Sequence, residues 1–588
     1  MKKTVFRLTS LFLIALFLLC GCQHEPAENN EPSVTDAPAT DVPATLAPTD
    51  SAKVTETPLE TAAPTEIPVP ENYIGKVVYA DVEYFYSAYS CGDTVLALTE
   101  DGALWGWGNN SYGQIAGLSS DYAEKPFHIM DNVASFEMAM TECTGTDKFL
   151  DGFVLALTKD GELYSWGTNN CGQLGTGAFG GELEKVLDGV ERIELPRVEY
   201  GEACVYAFMK DGSLYGWGLN DRAQIAAGDM THNIFAPVKI LDDAVKLFTA
   251  KNWKGEEMFF AVQSDGDLYA WGESSYGALG DGGYKLVRSP VKVLEDVDTV
   301  VSNGMCTYAI KTNSELWAWG FNSDCSLGLG HGKTVNKPAK VMDNVSAVRI
   351  FTAGGLALTN SGEVYGWGTG EHICNTDHDQ HHDEEHYSKT PKKLMENVRE
   401  LYSYDSVCFA LTNDGTLLGW GYNYHGSLGA GMSATGETPV AIAENVSCFD
   451  IVGSEFIDRI GYDLISMSYV IKNDGSLCVW GANNCGQLGT GDNETAYSPV
   501  CILQNAASAC LTDKCQYCLT KNGGLYAWGD FIYGDRWETP DYKDRIPKLI
   551  AEHVVSVACS EHGSIMLTED GAVLYRANGR DTVLGIIN

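Results

Sequence analysis

The string ALTKDGELYSWGTNNCGQLGTG, residues Ala156–Gly177, returns in blurred form about every fifty residues of this 588-residue chain, which restricts the fold to one unit repeated in tandem. Copies begin at Ala97, Ala207, Ala261, Ala309, Ala357, Ala410, Val470 and Cys518. A degenerate tenth, MLTEDGAVLYRANG from Met566, carries Tyr575 where the others carry Trp. The nine Trp-Gly pairs, from Trp107 to Trp528, are spaced 48 to 60 residues apart. That period is too long for a pair of helices and suits four short strands with their turns.

Each unit reads as a small antiparallel sheet. An apolar stretch ending in Leu-Thr predicts a strand, and the pair Asp160–Gly161 that follows it is a hairpin signal, because both central residues of the tight turn need positive φ. The next strand, LYSWG or LYGWG, alternates and ends in a large aromatic. A Trp at the same place in nine copies is expected to fill the gap between neighbouring sheets, with Gly letting backbones approach. After a Gly-rich turn comes an extended piece opening with Pro, as in Ser289–Leu294 and Ser498–Leu503, where Pro at the first strand residue would remove no ladder bond. A fourth strand, such as Val345–Ile350, restarts the cycle. The fold class is therefore all-β, a β-propeller of four-stranded blades from about ten repeats. One wide ring, an open spiral and a complete ring with an appendage are all compatible with ten copies.

The run ALTxDGxLYxWGxNxxGQLGxG resembles the repeat of the regulator of chromosome condensation family, over roughly Tyr73 to Asn588. That resemblance implies a β-propeller, and it departs from the family in two respects. The His common before the Ala-Leu-Thr strand is replaced by Ser90–Val95 or Asp405–Phe409 sequences, with His562 near that place only in the last copy. Such propellers usually have seven blades, and this chain has ten copies. The resemblance brings two precedents: nucleotide exchange on a small GTPase, and secreted protein inhibitors of β-lactamase.

The N-terminal region predicts where the protein works. Residues 1–22 carry Lys2, Lys3 and Arg7 ahead of the apolar run Leu11–Leu19, the pattern of a signal peptide too short to span a bilayer. It ends Leu19-Cys20-Gly21-Cys22, which resembles the bacterial lipobox and makes Cys22 the lipidation site. Residues 23–72, rich in Pro, Thr and Ala, cannot bury enough apolar surface to order themselves and read as a tether reaching up to about 150 Å. Residues 73–588 form the repeat propeller. The expectation is an exported monomer, lipid-anchored on the outer face of a bacterial cell membrane.

Charge and chemistry narrow the partners. The formal net charge is −40, and becomes about −43 without the three basic residues of the signal segment. So acidic a surface repels phosphate backbones, which disfavours nucleic acid. No nucleophile elbow or zinc-protease motif is present, and Gly332-Lys333-Thr334 lacks the Gly five residues earlier that a phosphate loop needs, Leu327 standing there. The reading is a non-enzymatic module without a required cofactor, binding an extracellular protein. A glycan-binding propeller is the alternative, and exchange activity a further one that export disfavours. Of the 18 cysteines, 16 lie beyond the signal segment; Cys171 and Cys485 share a repeat position, which predicts packing, and Cys515 and Cys518 sit three apart on a strand and so on opposite faces.

Two breaks in the repeat mark candidate sites. In the sixth copy Glu371–His386 replaces the usual turn, and His372, His378, His381, His382 and His386 offer ligands for a divalent ion such as zinc. Elsewhere the segments Met140–Gly152, Ala250–Met258 and Gly453–Ser466 lengthen the repeat between the same two strands. In a simple meander these insertions and the histidine loop open on one face. That face, with Trp253, Lys254, Phe456 and Tyr462, is the expected recognition surface.

Overall fold

The computed structural model describes residues between 77 and 585 apart from connecting segments, the longest of which are 370–386 and 531–542. The signal segment, Cys22, the tether, Phe456 and all five loop histidines lie outside the described residues.

Ten four-stranded antiparallel sheets follow one another, and in each the strands lie in chain order, so every blade is a simple meander. Blade 4 is representative: Ala244–Lys251, Glu257–Gln263, Leu268–Gly272 and Val287–Leu294, each paired with the next. Because the strands alternate in direction, the first-to-second and third-to-fourth connections leave the blade at one end and the Asp-Gly hairpins at the other. Gly266, at φ +89, occupies such a hairpin, and a Cβ there would lie 2.9 Å from the backbone of Asp296 in the next blade.

Most seams between successive blades are fixed at both ends. At the hairpin end, the first residue of one blade donates its N–H to the carbonyl of the hairpin in the blade before: Val190 to Gly161, Val297 to Gly266, Val446 to Gly415, and likewise at all nine successive seams, at 2.8 to 2.9 Å. The preceding residue turns the chain through the left-handed region, which is why Asn132, Asp243, Asp296, Asn344, Asn397, Asn445 and Asn505 stand there with positive φ. At the other end the Trp of one blade lies under the turn of its predecessor. Trp319 packs among Met258, Phe260, Leu268 and Leu279 of blade 4, so the core consists of apolar wedges between sheets rather than one central mass.

The succession closes. Leu567 of blade 10 packs against Val95, Ala97 and Trp107 of blade 1, and the first strand of blade 1 lies against the second strand of blade 10. Of the three arrangements open to ten copies, the structure takes a ring of ten blades.

The position of the prolines differs from expectation. Pro290 and Pro499 are the fourth residues of strands Val287–Leu294 and Ala496–Leu503, not the first. They sit where the pairing slips register, on the outermost strand of the blade, whose outer side has no partner strand. A missing N–H there breaks no ladder bond and blocks pairing with another chain's edge. The same strands carry Lys185, Lys292, Lys340 and Lys393, each clamped between a hairpin acid and a turn acid, as Lys292 is by Asp267 at 2.7 Å and Glu295 at 2.9 Å. Exposed pairs of this kind add little stability, and their charge helps keep the edge from pairing. In blade 8 the outer strand is joined covalently to its neighbour by a disulfide between Cys478 and Cys501.

Candidate functional site

The insertion in blade 4 is the one whose tip is described in full. Between strands Ala244–Lys251 and Glu257–Gln263 the chain runs through Asn252, Trp253, Lys254, Gly255 and Glu256. Trp253 is 75% exposed, far more than any core aromatic, while Asn252 and Glu256 beside it are buried.

Buried polar groups hold this loop in one shape. The Asn252 amide oxygen accepts from the backbone N–H of Lys254 at 3.0 Å and of Glu256 at 3.1 Å. Its amide nitrogen donates to the Glu256 carboxylate at 2.7 Å and reaches the carbonyl of Gly304 in blade 5 at 3.5 Å. The same carboxylate accepts from the backbone and hydroxyl of Ser275, both at 3.0 Å. Arg222 of blade 3 donates to the carbonyl of Gly255 and lies 3.6 Å from Glu273. Gly304 must be glycine, since a Cβ would meet the backbone of Asn252 at 2.5 Å. Three successive blades therefore converge on five loop residues. Burial raises the Glu256 pKa, but the Ser275 and Asn252 hydrogen bonds and the nearby Lys254 ammonium outweigh it and hold the carboxyl below its ordinary value.

Around the Trp253 side chain the surface combines aromatic rings with the Lys254 cation. The Lys254 ammonium lies 4.5 Å from the centre of the Tyr276 ring and 5.3 Å from that of Trp253, and Tyr276 meets Phe321 of blade 5 edge to face at 5.5 Å. A cation placed over ring faces is attracted by their negative quadrupoles. Below it, Lys251 neutralises the fully buried Glu257 at 3.0 Å, and Gln224 of blade 3 donates to the same carboxylate at 3.2 Å.

Of the residues singled out from sequence, Trp253 and Lys254 are brought together here. Tyr462 lies in a short two-stranded hairpin, Ile457–Asp458 with Gly461–Tyr462, within the blade 8 insertion, between the first and second strands of that sheet. The histidine segment, which lies between the third and fourth strands of blade 6 in sequence, is outside the described residues. Among the described residues no group of three His, Cys, Asp or Glu side chains could hold a metal ion. Tyr276, Phe321, Asn252, Glu256 and Arg222 were missed from sequence. One signal was available: blade 4 carries Ser274 where most turns carry Asn, a sign that this turn is adapted to something else.

Comparison with known proteins agrees with the architecture. Two family models, both described as the regulator of chromosome condensation (RCC1) repeat, match residues 90–114 and 151–173, and residues 265–305 and 474–510. The chain is 28% identical over 187 residues to the human E3 ubiquitin-protein ligase HERC2, covering 32% of this chain and 4% of that protein. It is 30% identical over 202 residues to the ultraviolet-B receptor UVR8 of Arabidopsis thaliana, covering 33% of this chain and 42% of the receptor. The match therefore spans less than half the length of either relative. Among solved structures, Prp20p of Saccharomyces cerevisiae, described with its binding to Gsp1p and histones, aligns at 18% identity over 59% of this chain and 88% of Prp20p, with a TM-score of 0.34. Human WBSCR16 aligns at 20% identity over 59% of this chain and 95% of its own, with a TM-score of 0.35. At four stretches of its ring, this chain is similar to the regulator of chromosome condensation repeat.

Proposed function

We propose that this protein is a non-catalytic, protein-binding propeller, exported and lipid-anchored through Cys22 on the outer face of a bacterial membrane, that recognises an extracellular partner through the loop face around Trp253 and Lys254. The observation that carries the reading is the combination at the blade 4 loop: Asn252 and Glu256 are buried to hold a Trp that is itself 75% exposed. A rigid, pre-ordered aromatic with a cation beside it loses little entropy on binding, which is how interface anchors work. The remaining insertions, Met140–Gly152 and Gly453–Ser466, and the zinc-capable histidine segment would extend the same face.

The test is capture of surface proteins and glycans from neighbouring cells by the purified chain, compared with a Trp253→Ala/Phe456→Ala variant. Capture that falls by tenfold or more in the variant and resists free sugar supports a protein interface. Competition by free sugar assigns the face to a glycan. Undiminished capture by the variant rejects this face.

A further inference from the structure

Eight tryptophans, from Trp166 to Trp528, are completely buried at the seams, and seven of them share one geometry. The indole N–H donates to a backbone carbonyl in the Gly-rich turn of the preceding blade: Trp166 to Gln114, Trp217 to Gln173, Trp271 to Gln224, Trp319 to Ala278, Trp367 to Ser326, Trp480 to Ser427 and Trp528 to Gln487, at 2.7 to 3.1 Å. A glycine two residues beyond the carbonyl usually lies flat on the ring, as Gly280 does on Trp319.

Trp107 of blade 1 is the exception. Its predecessor in the ring is blade 10, whose third and fourth strands, Val573–Ala577 and Arg580–Gly585, pair directly with Ala577 opposite Arg580. Only two residues join them, where blade 4 has the whole stretch from Gly272 to Val287. In sequence, blade 10 has no counterpart to the long Gly-rich segment that supplies the carbonyl elsewhere. Trp107 is accordingly 5% exposed, and among the described residues its Nε1 is buried with no acceptor; the Nε1 of Trp105 nearby is in the same state.

We infer that the junction of blade 10 with blade 1 is the point at which the ring opens, a built-in latch held by the Leu567 contact with Val95, Ala97 and Trp107 rather than by the indole-to-turn bond that locks seven of the other seams. A buried donor without an acceptor gains its missing hydrogen bond only when water or another chain reaches it, so opening at this seam is favoured over opening at any of the seven bonded ones. Opening here would bare the inner packing face of blade 1 and leave the nine other seams intact.

Hydrogen exchange on the full chain tests this, together with three variants. Amides in Cys91–Asn109 and Gly563–Thr568 are expected to exchange on the order of tenfold or more faster than those in Glu257–Gly272 and Cys306–Gly320. Trp107→Phe and Trp271→Phe lose similar packing, but only the second loses a hydrogen bond. Trp107→Phe should therefore lower the melting temperature by less than half as much. Grafting the Ser274–Gly282 turn between Ala577 and Arg580 should slow exchange in blade 1. Equal protection of blades 1, 4 and 5, or equal cost of the two phenylalanine variants, overturns the proposal. Should the graft fail to fold, the exchange pattern of the native chain and the two phenylalanine variants still decide.

Discussion

The indole Nε1 of Trp271 donates to the carbonyl of Gln224 across 2.9 Å, joining the third strand of one blade to the turn of the blade before. The bond is buried, and the ring that makes it also stacks on Phe259 at 5.9 Å. Trp271→Phe removes one of two donors to the Gln224 carbonyl, the Tyr206 hydroxyl at 2.6 Å being the other, and opens a cavity. It should cost about 2–4 kcal/mol, read as a fall in the urea midpoint of the isolated propeller.

The turn that supplies that carbonyl contains two residues in a backbone conformation that suits glycine. Ala223 has φ 64 and Ala226 φ 53, where the matching positions of blade 2 are Gly172 and Gly175. Ala223→Gly and Ala226→Gly should each stabilise by about 0.5–1 kcal/mol through relief of left-handed strain. The reverse change, Gly280→Ala, places a Cβ 2.7 Å from the Trp319 indole and should destabilise; differential scanning calorimetry of the three variants gives opposite signs for the two classes.

Cys478 and Cys501 face each other across paired strands at positions where other blades carry Tyr269 with Lys292, or Tyr215 with Lys239. The bridge closes a sequence separation of 23 residues, and removing it should cost about 2–3 kcal/mol. Thermal unfolding with and without reductant, beside a Cys478→Ser/Cys501→Ser variant, checks this. Reductant should shift the native chain and leave the double variant unmoved.

The blade 4 loop separates display from stability. Trp253→Ala should change stability by less than about 0.5 kcal/mol, because the ring is mostly in water, while Asn252→Ala should cost about 1–3 kcal/mol by orphaning buried partners. Urea titrations of both variants distinguish these outcomes.

The same loop predicts a pH dependence. Glu256 is held below its ordinary value near 4.5, so its ionised form favours the folded state. Its contribution is complete above that value and is lost as pH falls through the lower, folded one. Native protein should therefore exceed Glu256→Gln in urea midpoint at pH 7, and the difference should shrink as the pH is lowered through the acidic range.

The residues within a single repeat made the blade legible. Asp160–Gly161 marked its hairpin, the alternation of LYSWG marked the strand, and the recurrence of Trp at the same place marked the seam, because pairing within a blade depends on contacts between neighbours in sequence. Pro290 was read as the first residue of its strand and is the fourth, since a register slip on an outer edge leaves no sign in the residues around it. The left-handed turn at Asn344 or Asn397 went unread in the sequence, because its purpose emerges only with the bond it allows to the blade before. The site was half legible: Trp253 and Lys254 stood out as an insertion, but Gly304, which supports them, lies 52 residues from Asn252, and Arg222 lies 33 from Gly255. Such separations carry no local pattern.

The sequence by itself determined the four-stranded unit, its tenfold repetition and the seam tryptophan, because each rests on local backbone geometry and side-chain period. Only the tertiary structure decided that ten units close into one ring, that blade 10 meets Trp107 without a turn, and that three blades converge on one exposed Trp. The angle between blades is set by the packed volume of every seam together, and no single repeat contains it.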